Sequence, residues 1–149
     1  MALSFKSEVK VELELLENGD LKIRFNNAAM EDLIVRRSGV QREELGGEAR
    51  QLLAASLLEC LCSTFIHLLD WVRVNPKMFR AEAEVISGKD ESGRVCIDSI
   101  NVKINVAVPE DEETLRRLKR AEILLERGCL ISRSLIRGIK VNYSISTEI

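Results

Sequence analysis

The sequence predicts an α+β domain with the element order βββ-α-ββ-α-β, and three observations carry that prediction. Apolar residues alternate with charged ones before position 26, the period of a half-buried strand. A single long segment, Glu48 to Val72, is apolar around most of a helical wheel. Alternating runs and a second, amphipathic helix then follow it in the chain. Strands and helices in separate runs, without a regular βαβ repeat, define the α+β class.

Each element has its own signal. Val9, Val11, Leu13 and Leu15 alternate with charged residues as the first strand, and Glu17-Asn18-Gly19-Asp20 follows. Asn-Gly predicts a hairpin turn in which both central residues take positive φ. Leu21, Ile23 and Phe25 form the return strand, and Asn26-Asn27 breaks it before a short third strand at Leu33 to Val35. Arg36 to Gly47 reads as a charged, Gly-containing loop. Glu48 to Val72 would make a helix about 38 Å long. Ser56, Glu59, Ser63, His67 and Asp70 fall in one polar stripe of that helix. The rest of its girth is apolar and needs cover on nearly all sides, which predicts a partner subunit.

Pro76 ends this segment, and Phe79, Ala81, Ala83 and Val85 alternate as the next strand. Gly88 to Gly93 is a turn, and a long strand from Arg94 places Ile100, Val102, Ile104, Val106 and Val108 on one face. Pro109 and the acidic run Glu110 to Glu113 open the second helix, where negative charge complements the helix dipole. Leu115, Leu118, Ala121 and Leu125 mark its expected buried face, and Gly128 suits a left-handed C-terminal position. Cys129 to Arg137 has the length of a short further turn. Ile139, Val141, Tyr143 and Ile145 alternate as the last strand.

Length and composition narrow the function classes. At 149 residues the chain is expected to form one domain, 1–149, with a core large enough to need no disulfide or metal staple. Twenty-two basic and 24 acidic residues give a net charge of −2, which argues against a general nucleic-acid or anionic-membrane binder. Glu59, His67 and Asp70 inside the long apolar segment mark a core helix instead of a membrane span. Met1 to Lys10 carries no apolar run of a signal peptide. With four cysteines in no framework spacing, the expected location is the cytoplasm.

Cysteine is the one chemical handle in the sequence. Cys60 borders the polar stripe of the long helix, about 20° on the wheel from His67. Cys62 lies 200° further round in apolar company, so a zinc site of Cys60, Cys62, His67 and Cys129 is disfavoured by geometry. Cys96 alternates within a strand, and Cys129 follows a helix and a Gly, where a thiol can be exposed. The plain alternative is that each is a small core hydrophobe. His67 by itself reads as a core histidine, and Arg133, Arg137 and Lys140 as solvated surface. No phosphate-loop, dinucleotide, metalloprotease or hydrolase motif is present.

Two segments change the weighting together. Leu52-Leu53-Ala54-Ala55-Ser56-Leu57-Leu58-Glu59-Cys60 resembles the Ala-rich helix of the OsmC/Ohr family, which ends in that family's reactive cysteine. Arg127-Gly128-Cys129-Leu130-Ile131-Ser132-Arg133-Ser134-Leu135 resembles its second signature, a "CPxSRxL" run with a second cysteine. Glu44-Leu45-Gly46-Gly47 is similar to the family's loop before the helix. The resemblance covers nearly the whole chain. It implies an OsmC-like fold, in which long central helices of an intertwined homodimer are wrapped by sheets from both subunits. It also implies a peroxidase that reduces organic hydroperoxides without metal or prosthetic group. Cys60 would attack the peroxide, Cys129 would resolve the sulfenic acid as a disulfide, and an external dithiol would reduce it.

The chain departs from the family pattern at four places, one of them the family's proline at the helix start, which is missing. Arg50 stands where peroxidase members carry a Glu ten residues before the reactive cysteine, and Glu48 is the nearest substitute. The activating Arg of the N-terminal part falls to Arg24 or Arg42. Leu130 fills the slot of the proline after the second cysteine. The alternative function is a non-enzymatic redox sensor or binding protein of the same fold.

Overall fold

A computed structural model describes residues 7–148. The chain divides near Ala49 into two compact units. The first holds an antiparallel meander of β1 (Glu12–Leu15), β2 (Leu21–Arg24) and β3 (Leu33–Val35), in the order β1-β2-β3. Leu15 pairs with Leu21, and Leu21 with Val35. β1 begins at Glu12, later than the alternation predicts, and it shows solvent its apolar side: Val9, Val11, Leu13 and Leu15 are all exposed.

The turn after β1 corrects one expectation. Only Gly19 takes positive φ, at 92°, while its N–H donates to the Leu16 carbonyl at 2.9 Å. Asp20, buried beside it, holds the unit's loop in place. Its Oδ1 accepts the N–H groups of Arg37 and Ser38, each at 2.8 Å, and the Ser38 hydroxyl at 2.9 Å. These donors, the Arg37 N–H first, pull the Asp20 carboxyl down to about 2. A short 3-10 turn, Arg42–Glu44, follows.

The second unit carries α1, β4 (Met78–Lys89), β5 (Val95–Ala107), α2 (Glu112–Leu125) and α3 (Leu130–Arg137). α1 is one continuous helix, Glu48–Trp71, its first two residues belonging to the first unit. Ser56, Glu59, Ser63, His67 and Asp70 are exposed as the stripe predicts, so His67 is a surface residue and not a core histidine. The helix ends on Arg73, which takes φ 61° without being Gly, as Val74 N–H reaches back to the Leu69 carbonyl at 2.9 Å.

β4 and β5 form a long antiparallel hairpin with Phe79 opposite Val106 and Ala83 opposite Val102, interrupted by a register shift at Ile86/Ser87. Asp90 and Gly93 close its turn: Asp90 Oδ1 accepts the N–H groups of Ser92 and Arg94, and Gly93 takes φ 80°. Phe65, Leu69, Val72, Val74 and Ala121 form the buried core, flanked by Phe79, Ile104 and Leu118. The Phe65 and Phe79 rings meet at 5.9 Å, tilted by 56°. α2 starts at Glu112, capped by Asp111, whose carboxylate accepts the Thr114 N–H at 2.8 Å. Leu115 is exposed, so the buried face of α2 is Leu118, Ala121 and Leu125 without it.

Two further differences lie near the C-terminus. Cys129 to Arg137, read as a short turn, contains an eight-residue helix. The predicted last strand is not formed: from Gly138 to Glu148 the described chain has no regular structure. Its alternating residues Ile139, Val141, Tyr143 and Ile145 are all exposed. A strand needs a neighbour to take its backbone hydrogen bonds, and among the described residues none pairs with that segment. Arg42–Trp71 is long and apolar enough to cross a membrane by composition. Its packing on β4, β5 and α2 through Phe65 and Leu69 is that of a core helix.

Candidate thiol site

All four cysteines are free thiols. Two of them meet. Cys60 lies in the middle of α1, half-buried. Cys129 is buried, 3% exposed, at the N-cap of α3. The two thiols are neighbours, and each acts on the ionisation of the other. Cys62 stands half-buried elsewhere on α1, and Cys96 is exposed on β5. Among the described residues no group of three or more His, Cys, Asp or Glu converges as a metal site.

Local sequence explains how Cys129 is held. Gly128 takes φ 73° and closes α2 by donating its N–H to the Leu125 carbonyl at 2.8 Å. Cys129 is extended, with φ −111° and ψ 175°, the backbone of an N-cap. Ser132 then completes a reciprocal capping box. Its N–H donates to Cys129 Sγ at 3.4 Å, and its Oγ accepts the Cys129 N–H at 2.8 Å. Arg133 Nη1 donates to the carbonyls of Arg127 and Gly128, at 3.3 and 3.1 Å. Arg133 therefore ties down the α2–α3 link and is more than solvated surface.

The two sulfurs sit in unequal fields. At Cys60, burial is the strongest influence and raises the thiol pKa, and the neighbouring Cys129 and Glu59 raise it further against one favourable Ile131 N–H. At Cys129, burial also raises the value, but the hydroxyl and N–H of Ser132, the Cys60 thiol and the Ile131 N–H together bring it below its usual range. Burial and Glu59 push the Cys62 thiol up. The amides opening α3 thus turn toward the pair, that of Ile131 toward both sulfurs and that of Ser132 toward Cys129.

Of the other expected site residues, Glu48 and Arg24 have structural partners. Glu48 opens α1, and its carboxylate accepts the Gly46 N–H at 3.0 and 3.1 Å. Arg24 on β2 pairs with Glu14 on β1 at 2.7 Å. Arg42 begins the exposed 3-10 turn. Arg50 donates to the Ser87 hydroxyl on β4 at 3.1 Å. Sequence reasoning missed Ser132, although the Cys129-x-x-Ser132 spacing is the spacing of a capping box.

Comparison with known proteins accounts for this arrangement. The fold matches an OsmC-like protein from Mycoplasma pneumoniae with a TM-score of 0.65 and 12% identity, over 89% of each chain. It matches an OsmC-like protein of unknown function from Vibrio cholerae with a TM-score of 0.62 and 17% identity, over 87% of this chain and 94% of that one. An organic hydroperoxide resistance protein from Elizabethkingia anophelis gives a TM-score of 0.55 and 15% identity, over 89% and 91%. At these identities the likeness is one of fold. No curated protein matches the chain. Residues 43–144, which include both meeting cysteines, match the family model described as OsmC-like protein, and the chain belongs to that family.

Proposed function

We propose that this protein is a thiol-dependent peroxidase that reduces organic hydroperoxides through Cys60 and Cys129. The observation that carries the reading is the contact of two free thiols, one half-buried on α1 and one at the N-cap of α3. Such a pair has what two-step thiol chemistry requires. One thiolate attacks the peroxide and expels an alkoxide, leaving a sulfenic acid. The second sulfur then displaces hydroxide from it, closing a disulfide that an external dithiol reduces. The sum consumes two thiols and one hydroperoxide and yields a disulfide, an alcohol and water. One solved structure of the same fold is an organic hydroperoxide resistance protein, which supports the substrate class. No cofactor enters this chemistry, and the cytoplasm suits a pair that must be returned to the reduced state.

The working form in this proposal is an intertwined homodimer of one domain, 1–149, per chain. Leu52, Ile66 and Trp71 on α1, the row Val9 to Leu15, and the row Ile139 to Ile145 are apolar and exposed in the single chain. A second copy could cover all three, and the alternating tail is suited to adding as a strand to a neighbouring sheet. One observation favours a redox sensor or binding protein instead: Arg50 takes the position of the family's Glu and bonds to Ser87.

The test is consumption of an alkyl hydroperoxide with a panel of dithiols. Wild type is expected to turn over and, after a stoichiometric dose, to lose two hydrogens and cross-link Cys60 with Cys129. Cys60→Ser is expected to abolish turnover, while Cys62→Ser and Cys96→Ser retain most of it. A folded wild type inert to peroxide, with neither cysteine modified, leaves the sensor reading in its place.

A further inference from the structure

We propose that the cleft between the end of α1 and α2 binds a nucleoside phosphate, its phosphates on arginines and its base on Trp71. The cleft has a volume of about 340 Å³ and is lined by Trp71, Val72, Arg73, Arg116, Arg117 and Arg120. That volume is in the range of small-molecule sites, roughly 300–1,000 Å³. All six residues belong to the second unit. Trp71 stands eleven residues beyond Cys60 on α1, about 16 Å along the helix, so the proposal does not rest on the peroxidase reading.

Positive charge is concentrated here in a chain whose net charge is −2. Four guanidinium groups line one cleft, and a single carboxylate holds two of them. Glu113 pairs with Arg116 Nη2 at 2.7 Å and with Arg117 Nε at 2.8 Å. These bonds set the direction of both side chains and leave further guanidinium N–H groups for a ligand. Among the described residues, neither Arg73 nor Arg120 pairs with a carboxylate.

Arg73 is the most telling of the four. It takes φ 61° just past the end of α1, a left-handed position that Gly occupies without strain. The helix end does not need its side chain, because the Leu68, Leu69 and Asp70 carbonyls already accept the N–H groups of Val72, Val74 and Arg73. Strain held at a residue other than Gly marks functional positions, and this one lines the cleft.

The chemistry of the lining selects the ligand. Guanidinium forks match phosphate oxygens in pairs, and four of them exceed what one carboxylate engages. Trp71 adds a flat apolar surface. Arg120 Cζ lies 4.7 Å from its ring centroid, and the residue is still 60% exposed. A base stacks on such a ring. The negative net charge favours a mononucleotide over a nucleic-acid strand.

Trp71 is the chain's one tryptophan, so its fluorescence reports on this cleft. The experiment titrates the full chain with ADP at physiological salt, where loose surface attraction is screened, and follows Trp71 fluorescence and heat together. ADP should bind, and adenosine and pyrophosphate should each bind about tenfold more weakly. Arg120→Gln should weaken ADP about tenfold. Lys119→Gln, on the same helix but outside the cleft, should leave it unchanged. Arg73→Gly should also weaken ADP about tenfold, while melting at or above the wild-type temperature because glycine relieves the strain. The proposal is overturned by the absence of both heat and fluorescence change with ADP, by pyrophosphate binding as tightly as ADP, or by an ADP affinity that Arg73→Gly leaves untouched. A single-stranded oligonucleotide that binds more tightly than ADP would give the cleft to nucleic acid and also overturn it. So would a Trp71 shielded from acrylamide quenching in a dimer, which would give the cleft to the second copy.

Discussion

Gly128→Ala probes the joint between the fold and the thiol site. Gly128 sits at φ 73°, where an L side chain is strained, at a cost of about 1–2 kcal/mol. A Cβ there would stand 2.7 Å from Ser132 Oγ and 3.4 Å from Arg133 Cγ. The first contact is too close to persist, so Ser132 must rotate away from the Cys129 N–H it accepts at 2.8 Å. Losing that half of the cap adds roughly 0.5 kcal/mol, the low end for a capping residue, because the sulfur on the other half is a weak acceptor. The sum is about 2 kcal/mol, or a fall in Tm of roughly 4–8 °C for a chain of this size. Gly93→Ala supplies the control. Gly93 has φ 80° and open space around its would-be Cβ, so it should lose only the conformational part, about 1 kcal/mol. Thermal unfolding by circular dichroism of both variants checks the difference. Equal melting temperatures would refute the steric argument and with it the role given to Ser132.

Asp20→Asn should remove an acid-sensitive part of stability. The native carboxyl is held near 2 by the Arg37 and Ser38 N–H groups, below the unfolded value near 4. Its stabilisation is present above pH 4 and is lost as the pH falls from about 4 to 2. Urea unfolding across that window should show a steeper loss for wild type than for Asp20→Asn, and parallel slopes would contradict the clamp. Sedimentation at micromolar concentration should give a dimer, and Tyr143→Asp, in the exposed tail, should weaken it. A well-folded wild-type monomer would remove the argument from the exposed rows.

The elements that were legible in the sequence are those whose signals are local. Leu21 to Arg24, Leu33 to Val35 and the continuous α1 end within a residue or two of expectation, because alternation and helical period are intrinsic to the segment. Gly128 was readable for the same reason: a left-handed C-terminal position excludes most side chains. Legibility fails where a partner surface decides the outcome. Leu115 has the helical spacing of a core residue, yet α2 turns it to solvent. His67 lies on the stripe that was read as polar, and the outward face of α1 carries it to the surface. Ile139 to Ile145 alternates as well as any strand here, but alternation makes a segment competent to pair without supplying the edge it pairs with. Period 2 therefore reads a strand's potential, and in this chain that potential is unspent at both ends of the described sequence.

The site divides in the same way. Cys60 and Cys129 were identified through segments whose residues lie 69 positions apart, and their contact is a property of the second unit alone. What the sequence could not rank was the acidity of the two sulfurs, since thiol acidity depends on which backbone amides point at each one. In an uninterrupted helix those amides are already bonded to carbonyls four residues back, so α1 has little to give a thiolate on Cys60. The first turn of α3 has amides without such partners, and Ile131 and Ser132 turn theirs toward the pair. The amides that favour a thiolate at this pair are therefore those of α3.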